Sequence, residues 1–167
     1  MIKKNIQAAI NGQINAELYS AYLYLSMAAY FQSISLKGAA NWMRVQSQEE
    51  LVHAMKLYDY LSGIGGRITL SAIDAPPTSW DSPQDVFNAV YIHEQKVTGL
   101  INSLVGLARS EDDYETGSML QWFVDEQVEE EASAGEVLRK VKSAGDSPGA
   151  MSIIDGELGT RVFTPPT

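Results

Sequence analysis

Cysteine is missing from this 167-residue chain. Without thiols there is no disulfide, no zinc finger and no cysteine-ligated iron–sulfur cluster. A reducing compartment fits that lack without being required by it. Long apolar runs are missing as well. No stretch of about 18 apolar residues exists, so no helix is expected to cross a membrane. The opening Met1-Ile2-Lys3-Lys4-Asn5-Ile6 is not followed by the apolar core and cleavage site of a secretory leader. The expectation is a cytoplasmic protein with no membrane partner. Positive charge is scarce too: 12 Lys and Arg stand against 21 Asp and Glu, a formal net charge of −9. A nucleic-acid surface wants a basic stripe, so no nucleic-acid partner is expected. The acidic balance suits metal ions and other cations, although acidity for solubility alone produces the same number. Strand signals are few. Only Arg67-Ile68-Thr69-Leu70 offers one, and it falls in a loop-like stretch.

What the chain does have is helical periodicity, in five segments, which makes the expected fold class all-α. The first runs from about Lys3 to Gln32. The second begins near Ser35, a candidate N-cap, and ends at the glycines Gly63, Gly65 and Gly66. The third opens with Ser82-Pro83-Gln84-Asp85: a capping serine, a proline at the first helical position and an acid in the first turn. It ends near Ser110. The fourth follows the acidic corner Glu111-Asp112-Asp113 and stops at Ala144-Gly145. Ser147-Pro148 repeats the cap-plus-proline signal and starts a short fifth helix running to about Leu158. Residues 159–167, closing with Thr164-Pro165-Pro166-Thr167, are expected to be loose. The whole chain reads as one domain, with the bundle over about residues 3–144 and the short helix at about 148–158.

The connections restrict the topology. Short links make the first two segments one antiparallel hairpin and the third and fourth another. Between the hairpins lie residues 65–82, with Pro76, Pro77 and Trp80. A 25-residue helix is about 38 Å long, and 18 extended residues reach about 60 Å. This link can therefore run the length of the bundle and start the third helix beside the start of the second. The result is a four-helix bundle with one long crossover; a slack surface loop is the alternative.

Following the inward stripe of each helix exposes polar residues in the wrong place. The third segment reads Phe87, Val90, Glu94, Val97, Ile101, Leu104, Ala108. Its steps of three and four are those of a bundle seam. The fourth reads Thr116, Leu120, Phe123, Gln127, Glu130, Ala134, Val137, Val141. The second reads Ala39, Met43, Gln46, Glu50, His53, Leu57, Leu61 or Tyr60, Ile64. The first reads Ile10, Ile14 or Gln13, Glu17, Ala21, Tyr24, Ala28. Every helix thus turns a carboxylate inward near its middle. A lone buried carboxylate costs several kcal/mol or becomes neutral, and four together repel. Bound dications remove both problems. Glu17, Glu50, Glu94 and Glu130 would supply oxygen and His53 nitrogen, with Glu50 and His53 at i, i+3 on one face. The competing arrangement pairs one Glu with His53 and turns the others out to water. An oxygen-rich set with one imidazole favours iron or manganese over copper.

These segments resemble the non-haem ferritins of bacteria and archaea. The resemblance is carried by Gln13-Ile14-Asn15-Ala16-Glu17-Leu18-Tyr19-Ser20, Gln48-Glu49-Glu50-Leu51-Val52-His53, Tyr91-Ile92-His93-Glu94-Gln95 and the run Leu120 to Glu131, and it spans nearly the whole chain. It implies a ferroxidase of the ferritin-like four-helix fold, with Fe(II) as substrate and dioxygen or hydrogen peroxide as oxidant. Ferric oxide would be stored inside a shell of 24 copies. By resemblance, the first iron would take Glu17, Glu50 and His53, and the second Glu50, Glu94 and Glu130, with Gln127 beside it. A third iron site would use Glu49, Glu126, Glu129 and Glu130, though Glu126, Glu129 and Glu131 also read as a solvated acidic face. Tyr24 and Trp122 match residues able to donate electrons. His93 falls off the stripe and is expected at a surface or interface. Val52 stands where haem-binding relatives carry methionine, so no haem is expected. Entry through openings lined by Glu111, Asp112 or Asp113, and contacts through Ile34, Trp80 and the fifth helix, complete the expectations.

Overall fold

In the computed structural model, which describes residues 2–165, five α-helices carry the architecture: α1 Lys4–Ser33, α2 Lys37–Gly63, α3 Pro83–Ser110, α4 Tyr114–Ala144 and α5 Pro148–Leu158. No strand occurs among the described residues, and no helix is long and apolar enough to cross a membrane. Three helix starts follow from local chemistry. Ser82 Oγ accepts from Asp85 N, Asp113 from Thr116 N and Ser147 from Ala150 N, satisfying N–H groups that a first turn leaves without partners. Pro83 and Pro148 occupy positions where no N–H is needed.

The start of α2 differs from expectation. Ser35 is not its cap; it sits at φ 63° inside the α1–α2 turn, and Leu36 precedes the first helical residue without a side-chain cap. The capping acceptor comes from far along the chain: Asp155 Oδ1 on α5 accepts from Ala39 N at 2.8 Å. The contact is close because residue 38 is glycine. A Cβ there would lie 1.7 Å from the Asp155 carbonyl oxygen.

Residues 65–82 form the crossover, and α1 is its track. Gln7 Oε1 accepts from Arg67 N, Asn11 Oδ1 from Thr69 N, and Asn15 Nδ2 donates to Ala72 O, at 2.8–3.0 Å. Further along, Ser26 Oγ donates to Pro77 O at 2.6 Å, and Trp80 packs edge-on to Tyr30, 5.5 Å between centroids. The link therefore climbs from the beginning of α1 to its end. The Arg67–Leu70 stretch pairs with α1 side chains instead of another strand. Trp80 is half-covered by this packing, whereas Ile34 is exposed.

The tail expected to be loose is anchored at its beginning. Asn41 Nδ2 donates to Arg161 O at 2.9 Å, and Arg161 turns inward, because α5 docks on α2 through Ile154, Leu158 and the Gly38 contact. Pro166 and Thr167, the last of that expected tail, lie outside the described residues.

The bundle interior is not continuous oil. One apolar cluster gathers Phe31, Trp42, Met43, Phe87 and Leu138; the other gathers Ile10, Leu57, Ile101, Leu104 and Phe123. Between them lies a belt of buried polar side chains from α1, α2, α3 and α4. Tight apolar layers on both sides hold that belt in place and keep water from it.

Candidate metal centre

The belt is built from the inward stripes. Relative exposure is 1% for Glu17, Glu50 and Glu94, 2% for His53 and 5% for Glu130. So much buried acid leaves the outward-turned arrangement without support. Three ligand groups can be drawn from the belt, each with donor atoms within 4.8 Å of one another. Glu17, Glu50 and His53 form one. Glu50, Glu94 and Glu130 form the second. His53, Glu126 and Glu130 form the third. Glu50 is common to the first two, so its two oxygens can face two ions.

Neighbouring side chains aim the ligands. Gln13 Nε2 donates to Glu17 Oε1 at 2.8 Å. Tyr24, fully buried, donates its hydroxyl hydrogen bond to Glu94 Oε1. Gln127 Nε2 reaches Glu94 Oε2, the Glu94 carbonyl and Thr98 Oγ1, each at 3.2 Å. Gln46 Nε2 donates to Glu130 Oε2 at 2.5 Å. His53 Nδ1 lies 3.3 Å from Glu50 Oε2, and its Nε2 lies 3.8 Å from Glu126 Oε1. The other Glu17 oxygen, Oε2, is buried with no hydrogen-bond partner among the described residues. An unpartnered buried acceptor is costly, and in a pocket of carboxylates a cation is the partner that satisfies it. The donor set fits a hard divalent ion such as Fe(II).

Without an ion, protons do part of that work. Burial, with the neighbouring acids, pushes the carboxyls of Glu50 and Glu94 upward. Glu130 is pushed up to about 8, mostly by burial and then by Glu94. Burial disfavours charge on His53, but hydrogen bonds to Glu126 and Glu50 outweigh it and raise the imidazole to about 11. Glu126 in turn is lowered by its hydrogen bond to His53. Glu50, Glu94, Glu130 and His53 thus lean toward keeping protons that a metal must displace.

Among the described residues no single ligand group gathers the four acids expected at a third site. Glu126 and Glu130 share a group through His53. Glu129 is exposed, and Glu49 Oε2 is held at 2.6 Å by Arg161 Nη2. Burial raises the Glu49 carboxyl while Arg161 lowers it. Two of the three corner acids expected at an opening are engaged locally. Glu111 binds Lys3 and Asn5, and Asp113 caps α4, beside a surface pocket of about 570 Å³.

Residues 7–144 match the family described as the ferritin-like domain. The chain belongs to the ferritin family. Among its relatives, the bacterial non-heme ferritin of Bacteroides fragilis is 45% identical over 161 residues, covering 96% of this chain and all of that one. Among solved structures, an engineered closed form of the Archaeoglobus fulgidus ferritin superposes with a TM-score of 0.97 at 54% identity, over 98% of this chain and 100% of that one. The open-pore ferritin of the same hyperthermophilic archaeon gives 0.96 at 53% identity, over 97% and 100%.

Several residues around this ferritin centre escaped the sequence reading. Gln46 and Gln13 were visible only as polar members of a stripe; Gln46 reaches Glu130 on a facing helix, whereas Gln13 reaches Glu17 one turn along its own. Arg161 carried no signal. His93, expected at a surface or interface, is half-buried, hydrogen-bonded through Nε2 to Ser20 Oγ at 2.8 Å and packed edge-on to Tyr24. Burial, then Lys96, lowers it to about 4. It joins none of the ligand groups. Trp122 touches His53 edge-on, 5.5 Å between centroids, under the Lys56 ammonium.

Proposed function

We propose that this chain oxidises Fe(II) at a paired-ion centre inside the bundle and stores the ferric product within a hollow homo-oligomer, on the pattern of 24 copies. The reading is carried by one observation: a single buried carboxylate, Glu50, belongs to two three-ligand groups, next to a Glu17 oxygen that has no partner. Iron is the substrate here, not a resident cofactor. Glu17, Glu50 and His53 receive one Fe(II); Glu50, Glu94 and Glu130 receive the other. Binding releases the protons held on Glu130 and its neighbours.

Each Fe(II) then loses one electron. Dioxygen takes both electrons and two protons and leaves as hydrogen peroxide. Hydrogen peroxide as oxidant takes the same pair with two protons and gives two waters. The carboxylates favour the more highly charged Fe(III) as it forms. Gln127 lies against the Glu94 side of the centre and orients that carboxylate through its amide. Tyr24 holds the other Glu94 oxygen and stands closest to a role in supplying an electron.

The test is size-exclusion chromatography followed by aerobic Fe(II) loading of the intact chain. The expected result is a particle of several hundred kilodaltons that turns amber and retains iron. A small species that leaves Fe(II) oxidation at the rate of buffer would sink the proposal.

A further inference from the structure

Arg161 lies just beyond α5 yet sends its guanidinium into the mouth of the centre. Its Nη2 donates to Glu49 Oε2 at 2.6 Å and its Nη1 to Gln46 Oε1 at 2.9 Å. The guanidinium carbon sits 4.5 Å from the centroid of the Trp42 ring. The backbone of the same residue is fixed by Asn41. Arginine is charged at every relevant pH, and its rigid fork loses little freedom in such a grip. Gln46 passes the contact inward: the amide whose oxygen accepts from Arg161 donates its N–H to Glu130 Oε2 at 2.5 Å. One arginine therefore controls Glu49 directly and Glu130 through a single amide.

A guanidinium and a metal ion compete for the same carboxylate oxygens. Glu49 lies on the same side of α2 as the ligands Glu50 and His53, within electrostatic reach of His53 and Glu126, and Glu130 feels its charge. Those acids would accommodate a further cation. The cation the chain supplies there is its own. We propose that Arg161 is a built-in substitute for a third metal ion: it keeps Glu49 out of the ligand set, limits each centre to two ions, and through Gln46 fixes the Glu130 carboxylate. The inference rests on the paired-ion reading above, and its test separates the two.

The measurement is a count of Zn(II), which binds without turnover, by anomalous diffraction on the assembled protein, with titration calorimetry for affinity. The wild type should hold two ions, both sharing Glu50, and none on Glu49. Arg161→Gln should gain a third ion with Glu49 among its ligands. Arg161→Lys, which keeps the charge, should stay at two, and Arg161→Gln combined with Glu49→Gln should return to two. A Glu49-bound ion in the wild type, or in Arg161→Lys, overturns the proposal; so does Arg161→Gln with only two ions. No ion at Glu50 in any form overturns the paired-ion reading instead. Should Arg161→Gln fail to fold, Glu49→Gln alone decides: an unchanged count and affinity support the substitution by arginine, and a lost ion refutes it.

Discussion

Glu50 Oε2 lies 3.3 Å from His53 Nδ1, one helical turn away on α2, and both are buried. In the paired-ion reading the pair would face one ion together while the remaining Glu50 oxygen faces the second group. Glu50→Gln keeps the shape and one acceptor but cannot carry the charge that two cations share. Outer-shell changes at metal sites cost about 10–100-fold in affinity or activity, so losing a shared ligand should slow initial Fe(II) oxidation by more than about 100-fold. The metal-free variant should melt close to the wild type, because burial already pushes Glu50 toward its neutral form and the amide keeps its shape. Stopped-flow oxidation beside thermal denaturation tests both halves; an unchanged rate with an intact oligomer rejects the assignment.

Protons and metal occupy the same ligands, which sets a pH dependence. Glu130 rises from 4.5 to about 8 and His53 from 6.5 to about 11 on folding. The folded chain therefore holds more protons than the unfolded chain between those limits at each group. Stability from both is complete below the lower value and is lost as pH climbs through the upper one. The metal-free protein should melt higher at about pH 6 than at about pH 8.5. Zn(II) displaces these protons, so its stabilising effect should run the other way and grow with pH. Melting curves with and without Zn(II) across that range measure the gap. A gap that narrows toward high pH contradicts the picture.

Tyr24 is held between burial and the carboxyl of Glu94. Its hydroxyl serves Glu94, and burial with Glu94 and Glu50 nearby pushes the phenol well above its usual value, so it stays a donor. Tyr24→Phe removes that donor and leaves a buried oxygen of Glu94 without it. In the metal-free protein the loss should cost about 1–3 kcal/mol. With Zn(II) bound, Glu94 has the ion as a partner and the cost should shrink. The check is the difference in melting temperature between variant and wild type, taken with and without metal. Equal differences in the two states would mean that Glu94 does not face the ion.

The legible and illegible parts of this fold divide by sequence distance. Every stripe residue named on α3 and α4 is buried, because a bundle helix shows its inward face as a local period. On α1 both alternatives, Gln13 and Ile14, are buried, so the inward face is wider than a seam of alternating threes and fours. Caps made by Ser82 and Ser147 are legible for the same local reason, whereas Asp113 read only as part of an acidic corner. The α2 start was misread at Ser35 because its acceptor is Asp155, on α5, and nothing near Lys37 announces it. His93 sits one residue off its stripe; only the packing of Ser20 and Tyr24 on the neighbouring helix covers it. Glu49 was grouped with the acids of a third site by resemblance, and the arginine that claims it comes from a tail with no helical period.

The docking of α5 offers a test of that distant capping. Gly38 lies where a Cβ would be 1.7 Å from Asp155 O and 2.9 Å from Gly159 N, both backbone atoms with no side-chain freedom to yield. Gly38→Ala must therefore push α5 and the start of the following segment away from α2. Asp155→Ala leaves the glycine contact alone but removes the acceptor for Ala39 N. Overpacking of this kind costs about 1–3 kcal/mol, and loss of a capping acceptor about 1 kcal/mol. Both variants should melt lower, Gly38→Ala the more so, and both should be cleaved faster by protease near α5 while the four long helices persist by circular dichroism. Only Gly38→Ala should also loosen Arg161, since it moves the backbone that carries the guanidinium. If Asp155→Ala proves the more damaging of the two, the close approach at Gly38 is not what seats α5, and the cap is.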